Sequence, residues 1–221
     1  MAVGQSIKKV AAAVYRKIFT DYPKELEKAV GNCKTLLDIG CGENSPVRQF
    51  SKKLYCIGVD TFEPSIRKSK AEGIHDRYYK MNILKIGERF RLNSFDCVLA
   101  SDLIEHLTKT EGLKLLGMME KIASAKVIVF TPNGFLPQHG YDNNPFQLHK
   151  SGWTVGEMKK LGYRVIGING WKPLRGEQAS IKLRPKLFWQ IISDLTQLLT
   201  RNRPEKAFQI LCVKTASAQG H

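Results

Sequence analysis

Short apolar segments alternate with segments of helical period along almost the whole chain, and this alternation restricts the fold more than any other feature. Seven segments have the length and composition of buried strands: residues 35–39, 54–60, 77–83, 95–100, 126–130, 163–168 and 207–213. In the helix-type segments between them, apolar residues recur every three to four positions. Strands that are joined through helices pair in parallel by right-handed crossovers. The sequence therefore predicts an α/β fold with a mostly parallel seven-stranded sheet and helices on both faces.

Capping residues mark several of the predicted helix starts. Thr108 and Glu111 have the spacing of a capping box, in which each side chain binds the other's backbone amide, and a second box begins at Thr154. Ser45 followed by Pro46 favours a helix start directly after the first strand, because serine caps the helix and proline suits its first position. These signals place helices between the strands, as the alternation requires.

The net charge is the unusual feature of the composition. Among 221 residues, 35 are Lys or Arg and 20 are Asp or Glu, which gives +15 at pH 7. This length corresponds to one domain with a sizeable core, and the hydrophobic fraction of 43% is typical of a soluble globular protein. A basic balance favours anionic partners such as nucleic acid, anionic lipid or a phosphorylated substrate, without choosing among them.

Cysteine usage and hydropathy exclude several classes of protein. The five cysteines form no CxxC pair and no Cys/His spacing typical of a zinc site, so we expect neither a disulfide scaffold nor a metal site. No apolar run approaches the roughly 18–20 residues that a membrane span needs. We therefore expect a cytoplasmic protein, with peripheral contact to a membrane surface as a further candidate.

The domain organisation follows from changes in residue pattern. Residues 1–33 form a predicted N-terminal helical segment, with basic residues between apolar positions of helical period. Residues 34–221 form the main domain. Residues 172–203 are a basic and apolar helical insert between the sixth and seventh strands. That insert either packs over the domain or acts as a lid or interfacial helix beside a basic rim.

A glycine turn follows the first strand, and an acidic residue ends the second. Gly40 and Gly42 let the backbone turn sharply and let a ligand approach the main chain. Asp60 lies 20 positions after Gly40, where a carboxylate can accept hydrogen bonds from both ribose hydroxyls of an adenosine. The combination indicates an adenosine-containing ligand.

The residues around the turn distinguish between adenosine ligands. A dinucleotide site needs a third glycine where this chain has Ser45, and the adjacent Pro46 lacks an N–H that a phosphate could use. Asp38, two residues before the first glycine, would repel a pyrophosphate but would favour a cationic amino-acid group. Both observations favour S-adenosylmethionine (SAM), which has adenosine at one end and an amino acid at the other.

Several motifs together resemble the class I SAM-dependent methyltransferases, in particular the type of domain that acts on small molecules and glycans. They are Leu-Leu-Asp38-Ile-Gly40-Cys-Gly42, Gly-Val-Asp60, Asn82-Ile83, Phe-Asp96-Cys-Val, Ser101-Asp102-Leu-Ile-Glu105-His106-Leu and the Thr-Pro-Asn-Gly turn. The resemblance covers roughly residues 34–170. It implies a Rossmann-like sheet whose last strand is antiparallel, and SAM as the cofactor.

The resemblance also implies roles for individual residues. Gly40 and Gly42 would pass under the methionine portion, and Asp38 would lie close to its ammonium group. Further cofactor-binding positions are Asp60 at the ribose, the adjacent Thr61, Asn82 and Ile83 at the adenine, and Ser101 at the end of the fourth strand. Glu105 and His106, which follow that strand, are expected to support the fold, with a catalytic role as the alternative.

The loop after the fifth strand faces the methyl group in this architecture, so histidines in it are the candidate general bases. These are His149 and His139, and either one could take the proton of a hydroxyl acceptor. The Pro-Cys nucleophile of cytosine-C5 enzymes and the Pro-Pro-aromatic loop of adenine-amino enzymes are missing from the sequence. The expected acceptor is therefore an oxygen of a small molecule, a glycan or a lipid-linked compound.

Two other functions remain open at this level. The +15 charge is compatible with an RNA or other nucleic-acid methyltransferase, although no array of aromatic and basic residues supports one. A non-catalytic membrane-surface module on the same fold is the other alternative. An intact glycine turn with Asp60 favours an enzyme over such a module.

Overall fold

A computed structural model describes residues 22–138 and 145–216 of the chain. Seven strands lie in this part: β1 (Thr35–Ile39), β2 (Tyr55–Asp60), β3 (Arg77–Lys80), β4 (Phe95–Ser101), β5 (Ala123–Pro132), β6 (Arg164–Trp171) and β7 (Ala207–Thr215). The described α-helices are α1 (Tyr22–Val30), α2 (Glu63–Ala71), α3 (Ile86–Arg89), α4 (Lys109–Ile122), α5 (Val155–Lys160) and α6 (Lys186–Thr200). Each predicted strand is present, with ends that differ by a few residues.

All seven strands form one sheet in the order β3-β2-β1-β4-β5-β7-β6. Strands β1 to β5 pair in parallel, whereas β7 is antiparallel to both β5 and β6. The fold class is thus confirmed as a mostly parallel, Rossmann-like sheet with an antiparallel last strand. Strands β2 and β3 follow β1 on one side of it, and β4 and β5 lie on the other side, so the order of the strands reverses between β1 and β4. Open α/β sheets bind ligands at the carboxyl ends of the two strands that flank such a reversal.

Apolar side chains cover both faces of the sheet, because successive strand residues point to opposite sides. Leu37 of β1 belongs to the core under α4, together with Leu115. The adjacent Leu36 belongs to the core on the other face, together with Leu26 of α1. All four side chains are fully buried, so the two layers of helices hold the sheet between them.

The connection after β1 differs from the predicted α-helix. Ser45 accepts a hydrogen bond from the Val47 amide and Pro46 occupies the first position, as expected, but the chain forms only a short 3-10 helix, Pro46–Gln49. A second 3-10 helix, Ser51–Lys53, then leads directly into β2. Only eight residues lie between Pro46 and Tyr55, the first residue of β2, too few for a longer helix and its return. The capping boxes at Thr108 and Thr154 are both confirmed.

The predicted N-terminal segment 1–33 is described only from Tyr22 onward. Helix α1 confirms the helix predicted over residues 23–30. The amphipathic helix predicted near the chain start lies outside the described residues. Within the described residues, no helix is both long enough and apolar enough to span a membrane.

Helix α6 of the insert packs on β6 through polar side chains. Ser193, Gln197 and Thr200 are its buried residues. The close approach depends on two glycines of β6: a Cβ added to Gly167 would lie 2.1 Å from the Thr200 carbonyl oxygen, and one added to Gly170 would lie 2.1 Å from that of Ser193. The Gln197 side chain donates to the Gly167 carbonyl at 2.8 Å and accepts from the Gly170 amide at 2.9 Å. The helix is therefore fixed by backbone contact and hydrogen bonds.

The opposite side of α6 is apolar and exposed. We call this surface the α6 apolar face, formed by Leu187, Phe188, Ile191, Leu195, Leu198 and Leu199. The exposed fractions of Leu198 and Leu199 are 61% and 68%. The sequence left open whether this helix packs over the domain or serves as an interfacial helix; it does pack on the sheet, but with its polar side.

Candidate active site

Two adjoining cavities open at the carboxyl ends of β1 and β4. The larger one measures about 480 Å³ and the smaller about 270 Å³. Residues common to both walls are Gly40, Gly42, Asp102, His106 and Gln147. The cavities therefore form one elongated site that passes over the glycine turn.

The glycine turn has a backbone that only glycine adopts without strain. The φ angles of Gly40 and Gly42 are 67° and 58°. A Cβ added to Gly40 would lie 2.6 Å from the Leu103 side chain, whereas one added to Gly42 would have no protein atom within 4 Å. Gly42 thus presents bare backbone to the cavity space, where a ligand can approach the main chain.

Asp60 holds the turn in place at the end of β2. Its carboxylate accepts hydrogen bonds from the Gly42 amide at 2.9 Å and the Phe62 amide at 2.8 Å. Burial raises the pKa of Asp60 despite these two hydrogen bonds. One oxygen serves each amide, so each keeps a further lone pair for a hydroxyl donor.

Three further predicted cofactor-binding residues line the smaller cavity together with Asp60. Thr61 donates its hydroxyl to the Met81 carbonyl at 3.1 Å. Asn82 accepts from the Leu84 amide at 2.9 Å, which leaves its NH₂ group as the donor for a ring nitrogen. Ile83 is buried and supplies an apolar surface. The structure brings these three residues into one wall.

Asp38 lies at the floor of the larger cavity and is part of a buried network. Its Oδ2 accepts from the Ser45 hydroxyl at 2.6 Å and lies 2.9 Å from His75 Nε2. His75 was not predicted, because nothing in its local sequence indicates a partner 37 positions away. The other carboxylate oxygen, Oδ1, is the one that remains for a ligand.

Ser101 forms a hydrogen bond with Tyr22, a residue that was not predicted to belong to the site. Tyr22, the first residue of α1, donates its hydroxyl to Ser101 Oγ at 2.8 Å and stacks on Phe130 with ring centroids 3.5 Å apart. Burial raises the pKa of Tyr22 well above its usual value. All three residues line the larger cavity, so the N-terminal helix contributes directly to the site.

Two acidic side chains lie side by side in the larger cavity. Asp102 has a positive φ of 46° and accepts from the Gln209 side chain at 3.1 Å. Glu105 accepts from the Thr131 hydroxyl at 2.9 Å. Burial raises the pKa of Asp102 to about 7, and burial together with Asp102 raises that of Glu105 well above its usual value. The sequence favoured a role in the fold for Glu105 over a catalytic one, yet this side chain lines the cavity.

His149 lies next to His106, with ring centroids 4.8 Å apart. His149 Nδ1 is 2.6 Å from the Leu136 carbonyl oxygen, and His106 Nδ1 is 3.3 Å from that of Leu148. Burial lowers the pKa of both imidazoles, that of His106 to about 4 with His149 contributing. His139, the other predicted base, lies outside the described residues.

The residues of the site fit SAM. The space above Gly42 is open where a Cβ would stand, an acceptor carboxylate and an amide donor line the smaller cavity, and a carboxylate oxygen remains at Asp38 for an ammonium group. A third glycine is absent and proline occupies the helix start, which agrees with a ligand that carries no phosphate.

Comparisons with known proteins agree with this geometry. A family model described as a methyltransferase domain matches residues 37–125. No protein of curated function matches the sequence significantly.

Several solved structures with the same fold are methyltransferases of low sequence identity. A SAM-dependent methyltransferase from Archaeoglobus fulgidus is 17% identical over 92% of this chain and 99% of its own, with a TM-score of 0.55. The phosphoethanolamine N-methyltransferase 2 of Haemonchus contortus, solved with SAM, is 17% identical over 88% of this chain and 51% of its own, with a TM-score of 0.55. The magnesium protoporphyrin IX methyltransferase of Synechocystis, solved with S-adenosylhomocysteine, is 12% identical over 87% and 80%, with a TM-score of 0.52.

The family match spans the glycine turn, Asp60 and the fourth strand, which are the parts that build the two cavities. Residues 37–125 therefore match a methyltransferase domain, the fold is that of SAM-dependent methyltransferases, and the residues of the site fit SAM as the cofactor.

Proposed function

We propose that this enzyme transfers the methyl group to an oxygen of a small-molecule, glycan or lipid-linked acceptor that binds in the larger cavity. The observation that carries this proposal is the wall of that cavity beside the glycine turn. It is lined by hydrogen-bonding side chains, among them Gln138, Gln147, His149, Asn169 and Gln209. Such a wall suits an acceptor that is rich in hydroxyl groups.

In this reaction, some residues of the chain bind the cofactor and the acceptor, and others help to remove the acceptor proton. When bound, SAM supplies a methyl carbon on a sulfonium centre, and the electron pair of the broken bond stays on sulfur as the acceptor oxygen takes the methyl group. Gly40 and Gly42 admit the cofactor to the backbone, and Asp60 holds the ribose. The cavity wall aligns the acceptor hydroxyl. His149 promotes the loss of the hydroxyl proton.

A methyl-transfer screen tests the acceptor class. The protein would be incubated with methyl-labelled SAM and a cell extract that has been separated into lipids, glycans, nucleic acids and small metabolites. We expect label in the lipid, glycan or metabolite fraction, as an ether or ester. Label confined to RNA or DNA would contradict the proposal and would support the nucleic-acid alternative that the +15 charge leaves open.

We expect Asp60→Ala to weaken SAM binding by roughly 1.5–3 kcal/mol, which is about a 10-fold to 150-fold rise in Kd. The substitution removes the ribose acceptor and also frees the Gly42 amide that Asp60 holds. Titration calorimetry with SAM measures the change. Asp76→Ala is the matched control, because Asp76 accepts from the Cys56 amide at 2.7 Å and does not line either cavity. Equal SAM affinity in both variants would remove Asp60 from the site.

The α6 apolar face supports a lipid-linked acceptor and contact with an anionic membrane surface. This helix buries serine, glutamine and threonine and exposes leucine and phenylalanine. Its apolar side can therefore insert into the apolar part of a membrane surface. Basic residues flank this face at both ends of α6: Lys182, Arg184 and Lys186 before it, and Arg201 and Arg203 after it. Each such residue near an anionic surface contributes about 1 kcal/mol at most, so the charge pattern matches anionic lipid.

The insert that carries this face also forms part of the larger cavity. Ala179, between β6 and α6, lines the cavity wall. Arg175 fixes this segment, since its guanidinium donates to the Ala179 carbonyl at 2.8 Å and to the Ser193 hydroxyl of α6 at 3.0 Å. Docking of α6 on a membrane would therefore place a wall of the acceptor cavity close to the lipid surface.

We expect the protein to float with vesicles that contain phosphatidylglycerol, and less so with neutral vesicles or in high salt. Leu198→Gln together with Leu199→Gln should reduce flotation at least several-fold, because both side chains belong to the α6 apolar face. Leu92→Gln is the control, since Leu92 is equally exposed at 69% but lies far along the chain from the insert. Binding to nucleic acid without binding to vesicles, or self-association that the double variant abolishes, would contradict the membrane assignment.

A further inference from the structure

Three side chains that the sequence separates meet at the wall of the larger cavity. Glu105 and His106 follow β4, and His149 lies 43 positions beyond His106. One potential ligand atom from each side chain lies within 4.8 Å of the other two. In a metal site with bonds of 2.0–2.2 Å, ligand atoms are about 3–4 Å apart, so a small side-chain rotation is enough to close this set around a cation.

Both imidazoles are oriented as metal ligands usually are. His106 directs Nδ1 to the Leu148 carbonyl oxygen and His149 directs Nδ1 to that of Leu136. A backbone acceptor on one ring nitrogen fixes the tautomer and leaves Nε2 as the nitrogen with a lone pair for a cation. Two neighbouring histidines share this arrangement.

The carboxylate of the set is held just as firmly. The Thr131 hydroxyl donates to one oxygen of Glu105, which leaves the other oxygen available. The Glu105 backbone carbonyl accepts from the Lys150 and Ser151 amides at 2.8 and 3.1 Å. Since these two amides directly follow His149, the hydrogen bonds lock the segment of His149 to that of Glu105. The cluster is therefore preorganised by the backbone.

A cation at this wall would offset the cost of ionising its buried acidic side chains. Glu105 and Asp102 are two acidic groups in one cavity, and Glu105 is buried. In the described ranges, neither acidic group forms an ion pair with a lysine or arginine. Buried carboxylates in proteins are normally paired with a cationic side chain or coordinate a metal. Here the two histidines stand where such a partner would be.

We propose that Glu105, His106 and His149 form a binding site for a divalent metal cation, with open coordination positions toward the larger cavity. The ligand set of two imidazoles and one carboxylate suits Mn²⁺, Co²⁺ or Zn²⁺ better than Ca²⁺. The proposal departs from the sequence-based expectation of no metal site. That expectation rested on spacing along the chain, whereas the fold brings distant residues together.

The metal site deepens the proposed function, on which its role in the reaction rests. A cation there would bind the acceptor hydroxyl and favour the loss of its proton to water. The oxygen then forms its bond to the methyl carbon, and the carbon–sulfur bond breaks with its electron pair on sulfur. His149 thereby acts on the hydroxyl through the cation it ligates. The acceptor class that follows is a hydroxyl compound small enough to reach the cavity wall.

Binding of Mn²⁺ tests the site without any acceptor. The protein is freed of metal with a chelator and titrated with Mn²⁺, and the electron paramagnetic resonance signal of free Mn²⁺ gives the bound amount. We expect about one Mn²⁺ per chain, with Kd raised about 10-fold or more in His149→Asn and in Glu105→Gln. The control is Glu88→Gln, the same chemical change at an exposed carboxylate outside both cavities, which should bind Mn²⁺ like the unchanged protein.

Calorimetry with SAM on the same samples separates the two proposals. We expect SAM affinity to be unchanged in the metal-free protein and in both variants. That result would show that the variants are folded. A protein that binds SAM but takes up no Mn²⁺ at about 1 mM, far above the usual range for such sites, would overturn the metal site and leave the methyltransferase intact. Uptake that is equal in all variants would also overturn it, because the ion would then lie elsewhere. Failure to bind SAM would count against the proposed cofactor site instead.

Discussion

Gly42→Val should raise the Kd for SAM about 100-fold, which corresponds to about 2.7 kcal/mol. A Cβ at this position meets no protein atom within 4 Å, so the side chain starts in open space and not against the protein. What the side chain fills is the space over the turn that joins the two cavities. If the cofactor lies against this backbone, the added methyl groups and the cofactor would occupy the same volume.

Gly73→Val provides a control for backbone strain. Gly73 ends α2 with a φ of 60°, close to the 58° of Gly42, and a Cβ there also meets nothing within 4 Å. Both variants should therefore lose about 1–2 kcal/mol of unfolding free energy from a left-handed valine. Only Gly42→Val should lose SAM affinity in calorimetry. Equal affinity in the two variants would show that the cofactor does not approach the turn.

The glycine turn illustrates what the sequence alone could predict. Its function depends on neighbours in the chain: Gly40 and Gly42 adopt left-handed conformations, and the acid at the end of β2 falls in register because β1 and β2 are adjacent parallel strands. Features of this kind can be predicted from neighbouring residues without any knowledge of tertiary packing. The roles of Asp38, Thr61, Asn82, Ile83 and Ser101 remain predictions, and the structure places all five in the cavity walls.

The pair of His106 and His149 could not be predicted from the sequence in this way. His149 was singled out because the loop after the fifth strand faces the methyl group, but its neighbour His106 was assigned to the fold. Their contact depends on the Glu105 carbonyl, which ties two distant segments together by backbone hydrogen bonds. No periodicity or spacing in the sequence encodes that pairing. Tyr22 was missed for the same reason, since its partner Ser101 is 79 positions away.

Helix α6 shows a different limit of sequence patterns. The apolar period correctly predicted a helix, but hydrophobic periodicity normally also indicates which side is buried. Here the glycines of β6 reverse that expectation, because they let the helix backbone approach so closely that only small or hydrogen-bonding side chains fit between. The apolar side is consequently left to face outward.

Arg175→Met should lower the free energy of unfolding by about 2–4 kcal/mol, the largest effect on stability that we expect from one side chain. The guanidinium is 8% exposed and donates to the Asn169 carbonyl at 2.7 Å, to the Ser193 hydroxyl and to the Ala179 carbonyl. It also lies 3.3 Å from the carboxylate of Asp194, which is 17% exposed. Methionine keeps most of the volume but removes the guanidinium donor from these acceptors, and it removes the ion pair between Arg175 and Asp194.

Urea unfolding measures the change, with Arg48→Met as the matched control. Arg48 forms an ion pair with Glu72 in which both side chains are about half exposed or more, so its removal should cost well under 1 kcal/mol. Adding Asp194→Asn to Arg175→Met should recover part of the loss, because a half-buried carboxylate that has lost its cationic partner is costlier than a neutral amide at the same place. A loss in Arg175→Met no larger than in Arg48→Met would mean that the insert is held by the α6 contacts with Gly167 and Gly170 alone. The guanidinium would then fix only the Ala179 wall of the acceptor cavity, and the variant would bind SAM normally while transferring methyl groups more slowly.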